Sequence, residues 1–181
     1  PYICILRGGD LPNRIRKSKN ASEQLFKGAY TNIGLSQYLV SNFRALGYTN
    51  ITYIENTITL DNYTYKKRVF DTPKLLWVRS FAEIYNPTLA IEVFEKIKQK
   101  FPQAELCMVG PEKDGSLAKC KALAEAKNLS VKFTGKLAKE EWVNLAEEYN
   151  IFMNTTNFDN TPVSVIEAMA LGLPVVSTNV G

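Results

Sequence analysis

Residues 151–178 read IFMNTTNFDNTPVSVIEAMALGLPVVST, and the order of residue types in this stretch decides the fold. IFMNT has strand composition, and a polar loop follows it. Thr161 and Pro162 supply a cap and a first helical position, Gly172 ends the helix, and LPVVST is again a strand. A strand, a helix and a strand in succession form a crossover that joins parallel strands of one sheet. The same stretch holds Asp159 in its polar loop and Glu167 inside an otherwise apolar helical run. The pattern leaves two readings open: the carboxylates bracket a ligand, or they are a solvated turn and a helix surface charge.

Upstream, the same alternation extends back to Lys74. KLLWV is a strand, and Asn86 with Pro87 starts a helix whose Ala90, Val93, Phe94, Ile97 and Phe101 share a face. ELCMV, a helix from Ser116 to Lys127, SVKFTG, and a helix presenting Trp142, Leu145, Ala146 and Tyr149 follow in order. Strands separated by crossover helices predict an α/β unit with a parallel sheet covered on both faces. Ligands of such sheets lie beyond the carboxyl ends of the strands, so the loops after KLLWV, ELCMV, SVKFT and IFMNT hold the candidates.

Before Lys74 the pattern is less regular. YICIL is a strand ending in the turn RGGDLP, Ser22 to Tyr30 reads as a helix, and NIGL as a short strand. Ser36 caps a helix that ends at Gly47, and NITYI is a further strand. Residues 55–73 show no sustained period and read as an interdomain linker between 1–54 and 74–181. The 1–54 segment is expected to bury little apolar surface by itself.

Composition narrows the chemistry. The chain has 181 residues, 45% of them hydrophobic, which implies a folded globular protein. Its apolar runs are too short for a membrane span. It starts at Pro1 with no secretory signal, and reads as part of a longer polypeptide. Cys4, Cys107 and Cys120 have no C-x-x-C spacing and are expected to be reduced, as in the cytoplasm. With no histidine at all, His-based triads and bases are excluded, and carboxylates, Arg, Lys, Tyr, hydroxyls and backbone dipoles remain. The net charge of +4 argues for no nucleic-acid partner, but residues 1–73 hold ten Lys/Arg against five Asp/Glu. Their densest part, RIRKSKN at 14–20, reads as a solvated loop, with an anionic membrane surface or substrate as the other reading.

A helix N-terminus at the carboxyl edge of a parallel sheet offers free N–H groups and a positive dipole end, a site for phosphate or diphosphate. Glu167 lies about 7 to 8 Å along the helix from Pro162, within reach of a ribose beside such a diphosphate. Asp159 at the loop mouth would accept from sugar hydroxyls on the other side.

DNTPVSVIEAMALGLPVV resembles the E-x7-E region of the GT-B retaining glycosyltransferases of family 4, the glycosyl transferases group 1, usually written E-G-F-G-x-x-x-x-EAMA-x-G-x-PVV. LLWVRSF, AELCMVGP and VKFTGKL resemble segments of that family's donor-binding domain. YICILRGGDLP, LSQYLVSNFRALG and YIENTITL resemble the end of its acceptor domain and its linker. The resemblance implies a Rossmann-like parallel sheet in a two-domain GT-B protein. On it, 1–54 ends the acceptor domain, 55–73 links, and 74–181 is a donor domain truncated at its C-terminus.

By the same resemblance, Glu167 would hold the ribose, Asp159 would contact the donor sugar, and Arg79 would be the cation on the diphosphate. Asn160, Thr161, Pro162 and Val163 would surround the diphosphate. Gly135, Lys136 and Leu137 would border the base, and Gly110 belongs to the glycine turn after ELCMV. The sequence departs from the family at three places. Asp159 stands for the usual glutamate, IYNP replaces a lysine expected about five residues after Arg79, and Arg7 stands where many relatives carry histidine.

The implied activity is metal-independent transfer of a sugar, with retention, from a nucleotide-diphosphate sugar to a glycan or lipid-linked acceptor in surface polysaccharide or glycoconjugate synthesis. No cofactor beyond the donor is expected. The implied location is cytoplasmic, with peripheral contact to the inner membrane face through the N-terminal domain. A noncatalytic nucleotide-sugar binding subunit and a GT-B sugar-nucleotide epimerase are the alternatives. The 181 residues alone are expected to bind nucleotide weakly and to transfer no sugar.

Overall fold

The computed structural model describes residues 1–7 and 11–180. The chain forms two compact units. One comprises Pro1–Thr57, Phe158–Pro162 and the residues from Asn179 onward; the other comprises Ile58–Asn157 and Val163–Thr178.

In the first unit, β1 (Ile3–Leu6), β2 (Thr31–Gly34) and β3 (Ile51–Tyr53) make a parallel sheet in the order β1-β2-β3. Helices α1 (Leu11–Lys17), α2 (Lys19–Lys27) and α3 (Gln37–Ala45) connect the strands. Leu6, Ile15, Phe26, Leu39, Val40, Phe43, Tyr48 and Ile51 form a core of the unit's own, with the Phe26 ring edge-on to Phe43 at 5.2 Å. This corrects the expectation that 1–54 buries little by itself. Ser36 caps α3 as expected, its Oγ accepting from Leu39 N at 3.1 Å.

Two local expectations fail here. RIRKSKN is largely helical, because Ile15 anchors α1 in the core while the flanking basic side chains stay in solvent. The helix expected over 22–30 begins earlier and stops at Lys27, leaving Tyr30 outside it and exposed. Of the expected RGGDLP turn, residues 8–10 lie outside the described residues, and Leu11 and Pro12 already belong to α1.

The second unit contains β4 (Lys74–Val78), α4 (Pro87–Lys100), β5 (Glu105–Val109), α5 (Ser116–Ala126), β6 (Lys132–Gly135), α6 (Lys139–Leu145), β7 (Ile151–Asn154), α7 (Val163–Ala170) and β8 (Val175–Ser177). All strand pairs are parallel, in the order β6-β5-β4-β7-β8. The pleat distributes side chains to two cores. Leu75, Trp77, Leu106 and Met108 point to the layer that contains Ala90, Ile91 and Phe94 of α4 and Cys120 and Ala124 of α5. Leu76, Cys107, Val109 and Phe152 point to the layer that contains Trp142 of α6 and Ala168 of α7. The central strands β4, β5 and β7 are thus apolar on both faces, as a doubly covered parallel sheet requires, while the edge strands β6 and β8 leave Lys132 and Val176 exposed.

Phe101, expected on the buried face of α4, is the residue that ends the helix and is 49% exposed. Asn86 precedes Pro87 as expected, but takes the left-handed conformation (φ 45°) and makes no side-chain cap. Helix α7 starts at Val163, one residue after the expected first position.

The segment expected as a linker is tied down from Ile58 onward. Arg68, 8% exposed, donates through Nη1 to the carbonyls of Ala146 (2.9 Å) and Tyr149 (3.0 Å), and through Nη2 to that of Leu171 (2.5 Å). Lys66 N also donates to Leu171 O at 3.3 Å. Gly172, at φ 78°, lies so close beneath this segment that a Cβ there would stand 2.3 Å from Lys66 O. The three cysteines are free thiols, with Cys107 and Cys120 buried. Among the described residues no helix is long and apolar enough to cross a membrane.

Candidate functional site

The strand order of the second unit reverses at β4 and β7, and a crevice at that switch point is where ligands of doubly wound sheets bind. The loops after these two strands are knitted together. Trp77 Nε1 donates to Thr155 Oγ1 (3.0 Å), whose hydroxyl donates to Tyr85 O (3.0 Å), and Asn157 N donates to Ile84 O (2.9 Å). Ile84 stands where the resemblance would place a lysine. Its backbone holds the two loops together, and its side chain brings no charge.

Arg79 leaves β4 toward this edge with its guanidinium 4.8 Å from the Tyr85 ring centroid, within cation–π range. Burial pulls its pKa below the ordinary guanidinium value, an effect that Tyr85 opposes. Its backbone is fixed by Gly110: a Cβ at Gly110 (φ 152°) would lie 1.7 Å from Arg79 O. Gly110 N in turn donates to Gly135 O at 2.8 Å. Arg79, Gly110 and Gly135, far apart in sequence, are therefore brought together through the backbone. Beyond Gly135, Lys136 is exposed and Leu137 packs partly buried on the second core layer.

Glu167 lies in the second turn of α7, and its position answers the question its sequence context raised. It is 3% exposed, so the surface-charge reading fails. Its Oε1 accepts from Tyr63 Oη at 2.8 Å and from Lys139 Nζ. The bond to Glu167 raises the Lys139 pKa above its ordinary value against the opposing pull of burial. Burial, and then the bond to Glu167, raise that of Tyr63. Neither partner was legible beforehand. Tyr63 lies in the aperiodic 55–73 segment and Lys139 in a charged helix start, where each reads as solvated.

The loop residues preceding α7 cluster with the first unit. Asn160 N donates to Asp159 Oδ1 (2.8 Å) and Ser36 Oγ to Asn160 Oδ1 (3.3 Å). Thr161 Oγ1 donates to Leu35 O (3.0 Å), and Thr161 O accepts from Asn56 Nδ2 (2.6 Å). The Phe158 ring meets Tyr38 edge-on at 5.3 Å. Pro162 and Val163 are half-buried, and Arg7 is exposed just after β1.

Solved structures share this architecture. The chain resembles Alr3699/HepE of Anabaena in complex with UDP and glucose, with TM-score 0.84 and 19% identity over 100% of this chain and 53% of that one. It resembles sucrose-phosphate synthase of Thermosynechococcus elongatus, with TM-score 0.83 and 18% identity over 99% and 50%. It also resembles a point variant of S. aureus TarM in complex with fondaparinux, alpha-GlcNAc-glycerol and UDP, with TM-score 0.79 and 20% identity over 91% and 33%. The chain spans about half, or less, of the length of these proteins. Parallel sheets with interleaved helices, matched in this way, define the α/β architecture of GT-B glycosyltransferases. The sequence profile of the family described as Glycosyl transferases group 1 matches residues 65–181, and the chain belongs to that family. No curated protein matches it.

Proposed function

We propose that the second unit holds the nucleotide diphosphate of a sugar donor, and that the protein to which this chain belongs transfers that sugar with retention and without a metal ion. The observation that carries this reading is Glu167, a carboxylate buried in the second turn of a helix that follows the switch-point strand β7. Tyr63 and Lys139 already serve its Oε1, and vicinal ribose hydroxyls are good donors to its Oε2. Arg79 supplies positive charge to the diphosphate as the glycosidic bond to the donor breaks, assisted by the amide dipoles of Val163 and the first turn of α7. Pro162 has no N–H to offer and serves by fixing its own φ. Asn160 and Thr161 precede α7 in the chain, and the N–H of Asn160 donates to Asp159, the carboxylate proposed for the donor sugar. Gly135, Lys136 and Leu137 border the base, and Gly110 keeps the Arg79 backbone in place.

The acceptor class is a saccharide or lipid-linked saccharide, with Arg7 on its side of the reaction. The glucose-, fondaparinux- and alpha-GlcNAc-glycerol-bound structures named above support a carbohydrate acceptor or product. The exposed basic residues Arg14, Arg16, Lys17 and Lys19 suit contact with an anionic membrane face during polysaccharide or glycoconjugate synthesis in the cytoplasm.

Titration of the chain with UDP, GDP and ADP, with and without EDTA, tests the reading. One of the three should bind with EDTA present, and Glu167→Gln should weaken it by about 1–3 kcal/mol because a charge-assisted bond becomes neutral. Unchanged affinity in a folded variant refutes the ribose role, and binding abolished by EDTA refutes metal independence. A noncatalytic binding role is favoured by one observation, the uncharged Ile84 in the place of the expected lysine. Sugar transfer by the intact polypeptide, lost in Glu167→Ala, excludes it.

A further inference from the structure

We infer that Tyr63 and Lys139 are positioning residues that clamp one oxygen of Glu167 and so set the preference for a ribonucleotide over its 2′-deoxy counterpart. This rests on the ribose role of Glu167 proposed above. Both donors land on the same atom, Oε1, and among the described residues Oε2 receives no hydrogen bond. The asymmetry leaves one oxygen as acceptor for a ligand diol, while the other is fixed from two directions.

The clamp is built at a cost elsewhere, which argues against an accidental contact. Lys139 is the first residue of α6, where a cation opposes the helix dipole. Its side chain, 52% exposed, could extend into water but reaches to a carboxylate whose side chain is 4% exposed. Tyr63 comes from a segment with no regular period, 104 residues from Glu167 in sequence. That segment is held in place by the Arg68 bonds to Ala146, Tyr149 and Leu171, and by Gly172, which admits it against the end of α7. The same α7 carries Glu167, so the strap and the carboxylate it restrains share one support. A carboxylate free to change rotamer would give up part of its binding energy to ordering, whereas one held at Oε1 presents Oε2 in one place.

The test uses the nucleoside diphosphate retained from UDP, GDP and ADP, and its 2′-deoxy form, titrated by calorimetry into the full chain, Tyr63→Phe, Lys139→Met, Lys139→Arg and Glu167→Gln. The parent chain should prefer the ribonucleotide about tenfold or more, the factor expected of one charge-assisted bond. Tyr63→Phe and Lys139→Met should each reduce that preference to about threefold or less, mostly by weakening the ribonucleotide, with Lys139→Arg retaining more of it. Equal losses for both nucleotides would place Lys139 on the diphosphate and overturn the clamp. A preference lost in Glu167→Gln but kept in both Tyr63→Phe and Lys139→Met overturns the clamp and leaves the ribose role standing. A preference kept in Glu167→Gln, or no binding of any of the three by the parent chain, overturns the ribose role and the clamp with it.

Discussion

Replacing Arg68 by methionine should unfasten the 58–73 segment from the second unit. The guanidinium makes three good bonds to carbonyl oxygens, at 2.5, 2.9 and 3.0 Å, and a marginal one to Glu147 O at 3.4 Å. A net 1.5–3 kcal/mol for each bond to a charged donor would sum to roughly 5–9 kcal/mol. Two observations reduce that sum. Burial pulls the Arg68 pKa down, so desolvation of the cation offsets part of the gain. The site also opens on a cavity of about 310 Å³ lined by Lys66, Arg68, Lys74 and Glu147, through which water can reach the abandoned carbonyls. Methionine fills much of the volume of the arginine stem, and the expected loss is about 3 kcal/mol, or roughly 6–12 °C in Tm. Both tryptophans, Trp77 and Trp142, lie in the second unit, so urea unfolding followed by tryptophan fluorescence reports that unit directly. Lysine, a single point donor, cannot bridge the end of α6 and the end of α7 at once, and Arg68→Lys should recover less than about half of the loss. A loss below about 1 kcal/mol for Arg68→Met, or full recovery by lysine, would refute the strap as a structural element.

The remaining predictions concern other parts of the chain. Gly110→Ala should cost roughly 2–4 kcal/mol, because its Cβ meets backbone that cannot yield cheaply, and urea unfolding unchanged from the parent would contradict the close approach to Arg79 O. Glu112 accepts from the N–H groups of Lys113, Asp114, Gly115 and Leu117 at the start of α5. Burial tends to raise its pKa, but these bonds outweigh it and hold the group below its ordinary 4.5. Its contribution is therefore present above pH 4.5 and lost as pH falls through the depressed folded value, so Glu112→Gln should flatten the acid limb of a Tm-against-pH profile, and an unchanged limb would refute it. Burial raises the Cys120 thiol to about 11 and also raises that of Cys107, so at pH 8 a thiol reagent should modify Cys4 first and reach the other two only on unfolding.

What the sequence made legible divides along the line between local and long-range order. The strand and helix alternation from Lys74 onward is written in short windows, because the central strands are apolar on both faces and turn residues punctuate the helices between them, and those windows place β4 to β8 within a residue or two. Helix α1 was hidden because only Pro12 and Ile15 are buried in it, and a two-residue anchor among arginines and lysines does not differ from a solvated loop until Phe26, Leu39 and Phe43 are known to surround it. The same limit applies to the site. Glu167 stood out because a carboxylate inside an apolar helical run calls for a partner, whereas Tyr63 and Lys139 sit in polar surroundings where nothing calls for one. The pairing of Tyr63 depends on the strap, and the strap depends on Arg68, which a sequence reader sees only as the third cation of KKR in a linker. The burial of Arg68 comes with carbonyls at and beyond the ends of α6 and α7, which are far apart in sequence and meet only in the folded unit. A buried arginine whose hydrogen bonds go to backbone carbonyls is therefore a tertiary property, and it locates Tyr63, one of the two residues that hold Glu167, more directly than any motif around Glu167 does.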